Sequence, residues 1–149
     1  MAWLLEIEKA YLAGIIDGEG SIGIYKWKNP RARKNPFYRA RMRITNTNKK
    51  LIDLIVNKLQ NQKGYIVAKR ENRIKNRKTC YELELGEILT KKLLKEVLPY
   101  LVIKKKHAEN VLKLKENYSH NRLTQTELQR REKIYLEQKK LYYRGLCLG

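Results

Sequence analysis

The chain is short of acids, of cysteine and of long apolar runs, and each shortage excludes something. Only 15 of its 149 residues are Asp or Glu, against 34 Lys or Arg, for a formal charge of +19. That balance argues against an acidic-tail protein or an enzyme of small metabolites. It favours a polyanionic partner, nucleic acid ahead of an anionic membrane surface. Two cysteines, Cys80 and Cys147, are too few for a disulfide framework or a zinc site. The two histidines, His107 and His120, stand at no ligand spacing, and His107, which follows three lysines, is expected to face solvent. No stretch approaches the ~18 apolar residues of a membrane helix, and the N-terminus lacks a charged start followed by an apolar core. The expectation is an intracellular protein that does not enter a membrane. Internal repeats and low-complexity tracts are absent as well.

What is present suffices for a core. Leu, Ile, Val and Phe supply 40 residues, above the roughly 20% of the chain below which sequences stay disordered. At roughly 150 residues per domain, residues 1–149 read as one domain. Its core is expected over about 5–118, with a helical extension over about 119–149.

Periodicity sets the element order. Ile7, Tyr11 and Ile15 recur at four-residue spacing with Leu12 and Ile16 beside them, which predicts a helix over 5–18. The same segment carries Ala10, Gly14 and Gly18. Small residues at that spacing form a groove that lets another helix backbone approach, and glycine's cost inside a helix, roughly 1 kcal/mol, implies a packing purpose. Strands are expected at 21–28 and 37–45. In the second, Ala40, Met42 and Ile44 alternate with Arg39, Arg41 and Arg43; in the first, Ile22 and Ile24 alternate with Gly23, Tyr25 and Trp27. The connection from Asn29 to Pro36 reads as a solvated hairpin loop. A helix over 49–60 follows, then strands near 64–70 and 79–85, with Tyr81, Leu83 and Leu85 opposite Cys80, Glu82 and Glu84. Helices are expected over 87–98, 104–118 and 124–144. The last opens with Thr124-Gln125-Thr126-Glu127, a capping-box pattern, and reads as a separate peripheral helix. The fold class is α+β, in the order α-β-β-α-β-β-α plus a C-terminal helix. Its antiparallel sheet is covered by helices on one face and open on the other.

The charge concentrates on the strands. From Gly20 to Ile52 there are ten basic residues and no acid; from Lys63 to Lys78 there are seven and one acid, Glu71. An open face studded with Arg39, Arg41 and Arg43, joined by Lys69 and Arg70, suits a nucleic-acid groove. Tyr25 and Trp27 on that face either stack on bases or cover lysine stems. A solvated charged surface is the plain alternative. Glu82 and Glu84 sit oddly beside a polyanion: they either buttress Lys69 or Arg70 or accept from cytosine N4.

Leu12-Ala13-Gly14-Ile15-Ile16-Asp17-Gly18-Glu19-Gly20, followed by Ser21-Ile22, resembles the motif of the LAGLIDADG homing endonucleases, matching six of nine positions. Ile15 and Glu19 are conservative departures, and Gly18 replaces Ala. The resemblance runs through the element order and through Leu98-Pro99-Tyr100-Leu101-Val102-Ile103-Lys104, covering roughly 8–118 and leaving out the last thirty residues. It implies a homodimer whose motif helices pack at a two-fold axis through Ala10, Gly14 and Gly18. It implies a saddle-shaped sheet on a long double-stranded DNA site, with Arg39, Arg41 and Arg43 among the contacts. It implies Glu19 as a ligand of divalent metal near the scissile phosphates, with Gly18 in the ligand set. The implied ion is Mg²⁺, with Mn²⁺ as an alternative and Ca²⁺ as a non-catalytic substitute. Lys104 matches the family's active-site lysine, and Asn46 a residue that orients water, with Lys49 or Lys50 in a neighbouring basic role. Asp17 reads as a helix-end or interface residue, not a ligand. Cleavage across the minor groove with short 3′ overhangs, and coding within a mobile intron, follow from the same kinship. A non-cleaving RNA maturase or DNA-binding regulator on this fold would need neither Glu19 nor Lys104; a basic structural RNA-binding protein would not need the small-residue groove.

Overall fold

The computed structural model describes residues 3–28, 35–59, 61–71, 74–115 and 124–147, with side chains in the last helix described to residue 142. Most of the expected hairpin loop, the end of the fourth helix through Tyr118, His120 and the Cys147 side chain lie outside the described residues. The elements are α1 (Glu6–Glu19), β1 (Gly20–Trp27), β2 (Phe37–Asn46), α2 (Lys49–Leu59), β3 (Tyr65–Arg70), β4 (Cys80–Leu85), α3 (Glu87–Val97), α4 (Lys105–Leu112) and α5 (Gln125–Cys147), with one 3₁₀ turn at Leu98–Tyr100. Pro99 falls in that turn, where its missing N–H cannot continue α3.

The four strands form one antiparallel sheet in the order β1-β2-β4-β3. Ile22 pairs with Met42, and Ile44 with Leu83. Strand alternation therefore puts Ile22, Ala40, Met42, Ile44, Leu83 and Leu85 on one face, all fully buried. Against them pack Leu12 and Ile16 of α1, Ile52, Ile55 and Leu59 of α2, Leu89, Leu93 and Leu94 of α3, and Ala108 and Val111 of α4. The opposite face carries the arginines.

The apolar stripe expected on α1 divides between two surfaces. Leu12, Ala13, Ile15 and Ile16 are buried, whereas Ile7 and Tyr11 point outward, 77% and 53% exposed. A 3.6-residue turn makes a four-residue repeat drift around the helix, so the two halves of the stripe serve different faces.

Helix α5 begins as its cap predicts. Thr124 Oγ1 accepts from the Glu127 backbone N–H at 3.2 Å. The Glu127 carboxylate does not reach back to complete the box; it engages Arg131 and Arg130 instead. Nor is α5 peripheral: it docks on α4 and seals the free edge of β1. The Ile22 N–H donates to the Tyr142 hydroxyl at 2.6 Å, and the Ile22 carbonyl accepts from Tyr142 Oη and Gln138 Nε2, both at 2.7 Å. Asn110 Nδ2 on α4 donates to the Ile134 carbonyl at 2.9 Å and to Gln138 Oε1 at 3.0 Å. These bonds satisfy the outward backbone groups of Ile22, one position on an edge open to pairing with another chain. They also turn His107 inward. It sits half-buried with its ring 4.8 Å from that of Tyr142, not facing solvent, and burial lowers its pKa, helped by the Lys104 charge.

Candidate nucleic-acid face and acidic site

The α1–β1 junction is built by a reciprocal exchange of caps. Helix α1 ends with unsatisfied carbonyls, and the chain leading into α4 begins with unsatisfied N–H groups. The Asp17 carboxylate accepts from the backbone N–H groups of Val102, Ile103 and Lys104, at 2.9, 3.1 and 2.9 Å. In return Lys104 Nζ donates to the carbonyls of Ile16 and Asp17, at 2.9 and 3.0 Å, and to that of Gly20. Asp17 is thus the helix-end residue that its position implied. Gly20 is required at the turn because a Cβ there would lie 2.8 Å from the Ile16 carbonyl oxygen. Partial burial lowers the Lys104 pKa, with the charges of Asp17 and Glu19 acting against that shift.

Glu19, the last residue of α1, is treated differently. Its side chain is exposed, and no hydrogen bond or ion pair engages the carboxylate among the described residues. A negative group at a helix C-terminus is unfavourable against the helix dipole, and the Lys104 charge at the same turn offsets this only in part, without bonding the carboxylate. Beside it, Gly18, Gly14 and Ala10 continue the exposed surface of Ile7 and Tyr11. A Cβ added at Gly14 or Gly18 would meet nothing within 4 Å, so nothing in its own chain requires glycine at either position. Asn46 ends β2 two residues beyond Ile44, the partner of Gly20. Its Oδ1 accepts from the Asn48 backbone at 2.7 Å, which starts the turn into α2. Lys49 is paired with Asp53 at 2.8 Å, and Lys50 is exposed.

The arginine face is a cross-linked surface. Trp27 stacks on Phe37 with centroids 6.0 Å apart, Arg39 lies over Phe37 at 5.6 Å, and Arg41 lies over Tyr25 at 5.7 Å. Phe37 belongs to this face by the same alternation as Arg39 and was not singled out from the sequence; its odd-numbered position in β2 was the available signal. Glu84 Oε2 accepts from Arg41 Nη2 at 2.5 Å and from Arg43 Nε at 3.1 Å, and Glu82 pairs with Arg70 at 2.9 Å. The bond from Arg41, more than any other influence, holds the Glu84 pKa below its ordinary value. Lys69 does not share the face. It pairs in register with Tyr81, on the helix side, and bonds Glu71 at 2.7 Å, because adjacent strand residues point opposite ways. A depression of about 180 Å³ opens beside Gly23, bounded by Ser21, Tyr25, Arg41 and Arg43. Cys80, partly exposed, closes this face opposite Arg70.

The profile of the LAGLIDADG endonuclease family matches residues 12–118. No curated protein matches the chain. Among solved structures, the archaeal intron-encoded homing endonuclease I-Vdi141I, complexed with DNA, aligns with a TM-score of 0.65 at 16% identity, covering 91% of this chain and 84% of its own. The homing endonuclease I-TnaI gives 0.61 at 19% identity, covering 93% and 96%. The homing endonuclease I-CvuI, in complex with the I-CreI target in the presence of Mg with the DNA uncleaved, gives 0.57 at 20% identity over 72% of this chain, which spans 65% of the I-CvuI length. At these identities the likeness shows the fold. Among the described residues no helix is long and apolar enough to cross a membrane.

Proposed function

The chain belongs to the LAGLIDADG endonuclease family, and on that premise we propose that it is a homodimeric, site-specific homing endonuclease that hydrolyses double-stranded DNA with a divalent metal. The observation that carries this reading is Glu19: an unpartnered carboxylate at the end of an exposed stripe of Ile7, Tyr11, Gly14 and Gly18. A non-cleaving RNA maturase or regulator on this fold has no use for a bare acid at a helix C-terminus. Residues 1–149 are taken as one endonuclease domain acting inside the cell, where its DNA is.

The glycines supply the argument for a dimer. Each costs helix stability, roughly 1 kcal/mol, and neither is needed for internal packing. A second copy of α1 crossing at Gly14 and Gly18 gives both a purpose and covers Ile7 and Tyr11. It also brings two Glu19 carboxylates to one axis, where like charges require neutralising.

The donor chemistry fits Mg²⁺. The Glu19 carboxylate and the Gly18 carbonyl are hard oxygen donors, and Mg²⁺ is commonly held by one or two carboxylates with phosphate oxygens and waters. Among the described residues no group of three or more His, Cys, Asp or Glu able to hold a metal occurs, so Glu19 would act with phosphate oxygens and waters. I-CvuI was crystallised with DNA in the presence of Mg or of Ca; here Mn²⁺ is an alternative ion and Ca²⁺ a non-catalytic one. When bound, such an ion supplies a water of lowered pKa and stabilises charge on the phosphate.

The chain's own groups do the rest. The arginine face, with Tyr25 and Trp27 beside Arg39, Arg41, Arg43 and Arg70, holds and registers the duplex. Lys104 fixes the turn that carries Glu19 and places positive charge beside the scissile phosphate. Asn46 keeps its amide N–H₂ for a water at the same end of the sheet, its carbonyl being engaged in the turn.

Selecting cleaved sites from a random duplex library tests the reading. With Mg²⁺ a long, two-fold-related site should emerge as cut ends; with Ca²⁺ the same site should be bound and left intact. Binding without cleavage under Mg²⁺ and Mn²⁺ would establish the non-cleaving alternative instead.

A further inference from the structure

Carboxylates on a surface meant for DNA weaken binding, because each cancels a charge that would displace a counterion. Glu82 and Glu84 nevertheless stand in the middle of the arginine face. Glu82 is buried and Glu84 partly buried, and because apolar groups can often replace such pairs without loss of stability, stability alone does not account for them. Their placement therefore calls for a reason connected with the ligand.

The geometry supplies one at Glu84. A single oxygen, Oε2, receives Arg41 Nη2 at 2.5 Å and Arg43 Nε at 3.1 Å, tying two guanidiniums of one strand to the strand beside it. Arg43 is opposite Glu84 in the register, so the tie runs straight across the ladder and diagonally to Arg41. The Tyr25 ring lies under Arg41 at 5.7 Å, and the depression beside Gly23 leaves the space before both heads open. After these bonds, Arg43 keeps both Nη groups without partners among the described residues, and Arg41 keeps Nη1. A guanidinium anchored through Nε with its Nη pair free presents a fork that matches guanine O6 and N7.

We propose that Glu84 is a positioning residue for sequence readout, holding Arg43 as a fixed fork and Arg41, whose Nε is buried, with Nη1 as a fixed single donor, so that they read base edges as well as neutralise phosphates. This rests on the arginine face being the DNA-binding face. Arg41 and Arg43 stand about 6.6 Å apart along the strand, at ~3.3 Å per residue. Base pairs rise 3.4 Å each. The fork of Arg43 and the single donor of Arg41 therefore address positions about two base pairs apart in each half-site. Holding them in the free protein removes the ordering that two flexible side chains would otherwise undergo on binding.

The prediction has opposite signs for preference and for affinity. Glu84→Ala removes both the charge and the accepting oxygen and frees both guanidiniums. Binding selections from a random duplex library in Ca²⁺, with salt titrations on the selected site and on an unrelated duplex, read both quantities. Discrimination at two positions about two base pairs apart should fall about tenfold. Affinity for the unrelated duplex should rise, and its salt slope should steepen by about one. In an Arg41→Ala/Arg43→Ala background the same substitution should leave preference unchanged, since Glu84 acts only through those two residues. Unchanged preference in the single variant, with higher affinity, would make Glu84 a mere charge neutraliser and overturn the proposal alone. Wild-type protein that binds no duplex, or binds without preference, would overturn the DNA-binding reading and this proposal with it.

Discussion

The two sides of α1 carry equally distinctive residues and are finished to very different degrees. On the inner side every group has found its counterpart. Leu12, Ala13 and Ile16 are buried, Asp17 accepts three backbone N–H groups, and Lys104 returns its ammonium to the carbonyls at the helix end. On the outer side Ile7 and Tyr11 face water, Gly14 and Gly18 leave space that nothing fills, and the Glu19 carboxylate has no partner among the described residues. Two acids only two residues apart divide along this line. The inner side builds the single chain; on the proposed reading the outer side meets a second copy.

Substitutions on the two sides should therefore fail in different ways. The largest effect belongs to the outer side. Gly14→Leu or Gly18→Leu should abolish the dimer, reducing the sedimenting mass to the single-chain 17.8 kDa, with cleavage lost and thermal stability preserved, because the new side chain meets nothing in its own chain. An unchanged dimer mass would move the interface elsewhere. On the inner side, Asp17→Ala should leave the mass alone and lower stability by about 2 kcal/mol, the scale of losing bonds to a charged acceptor. A thermal melt reads this as a Tm drop of roughly 4–8 °C; an unchanged Tm would deny the cap its role. The smallest effect lies away from α1, at His107 on α4. Its folded pKa is below the ordinary 6.5, so the unfolded chain binds more protons in the window between the two values. Stability is then constant above about pH 6.5, falls as pH drops through that window, and levels off below the folded pKa. His107→Gln should flatten this slope in melts compared at pH 7.5 and 5.5; identical slopes would place His107 in solvent.

Much of the division was legible in the chain. Period-two alternation in β2 put Arg39, Arg41 and Arg43 opposite Ala40, Met42 and Ile44, and the motif segment marked Glu19 and the small residues of α1. The same alternation, applied to β3, separates Lys69 from Arg70, which as neighbours cannot share a face. Contacts between distant segments were not legible. The seating of Tyr142 and Gln138 on Ile22 depends on how α5 docks, and local pattern does not encode that. The pairing of Glu84 with Arg41 and Arg43 depends on the β2–β4 register, which alternation leaves free to slip by two. The approach of Lys104 to the α1 carbonyls depends on a three-dimensional turn held by Asp17.

The Glu19 carboxylate is tested by Glu19→Gln against wild type on the duplex selected with Mg²⁺, with single-turnover cleavage and Ca²⁺-supported binding measured side by side. The account predicts a rate reduced roughly 100-fold or more, the scale expected when a stabiliser of transition-state charge is removed, with affinity and dimer mass retained. Cleavage at the wild-type rate by the glutamine variant would contradict it.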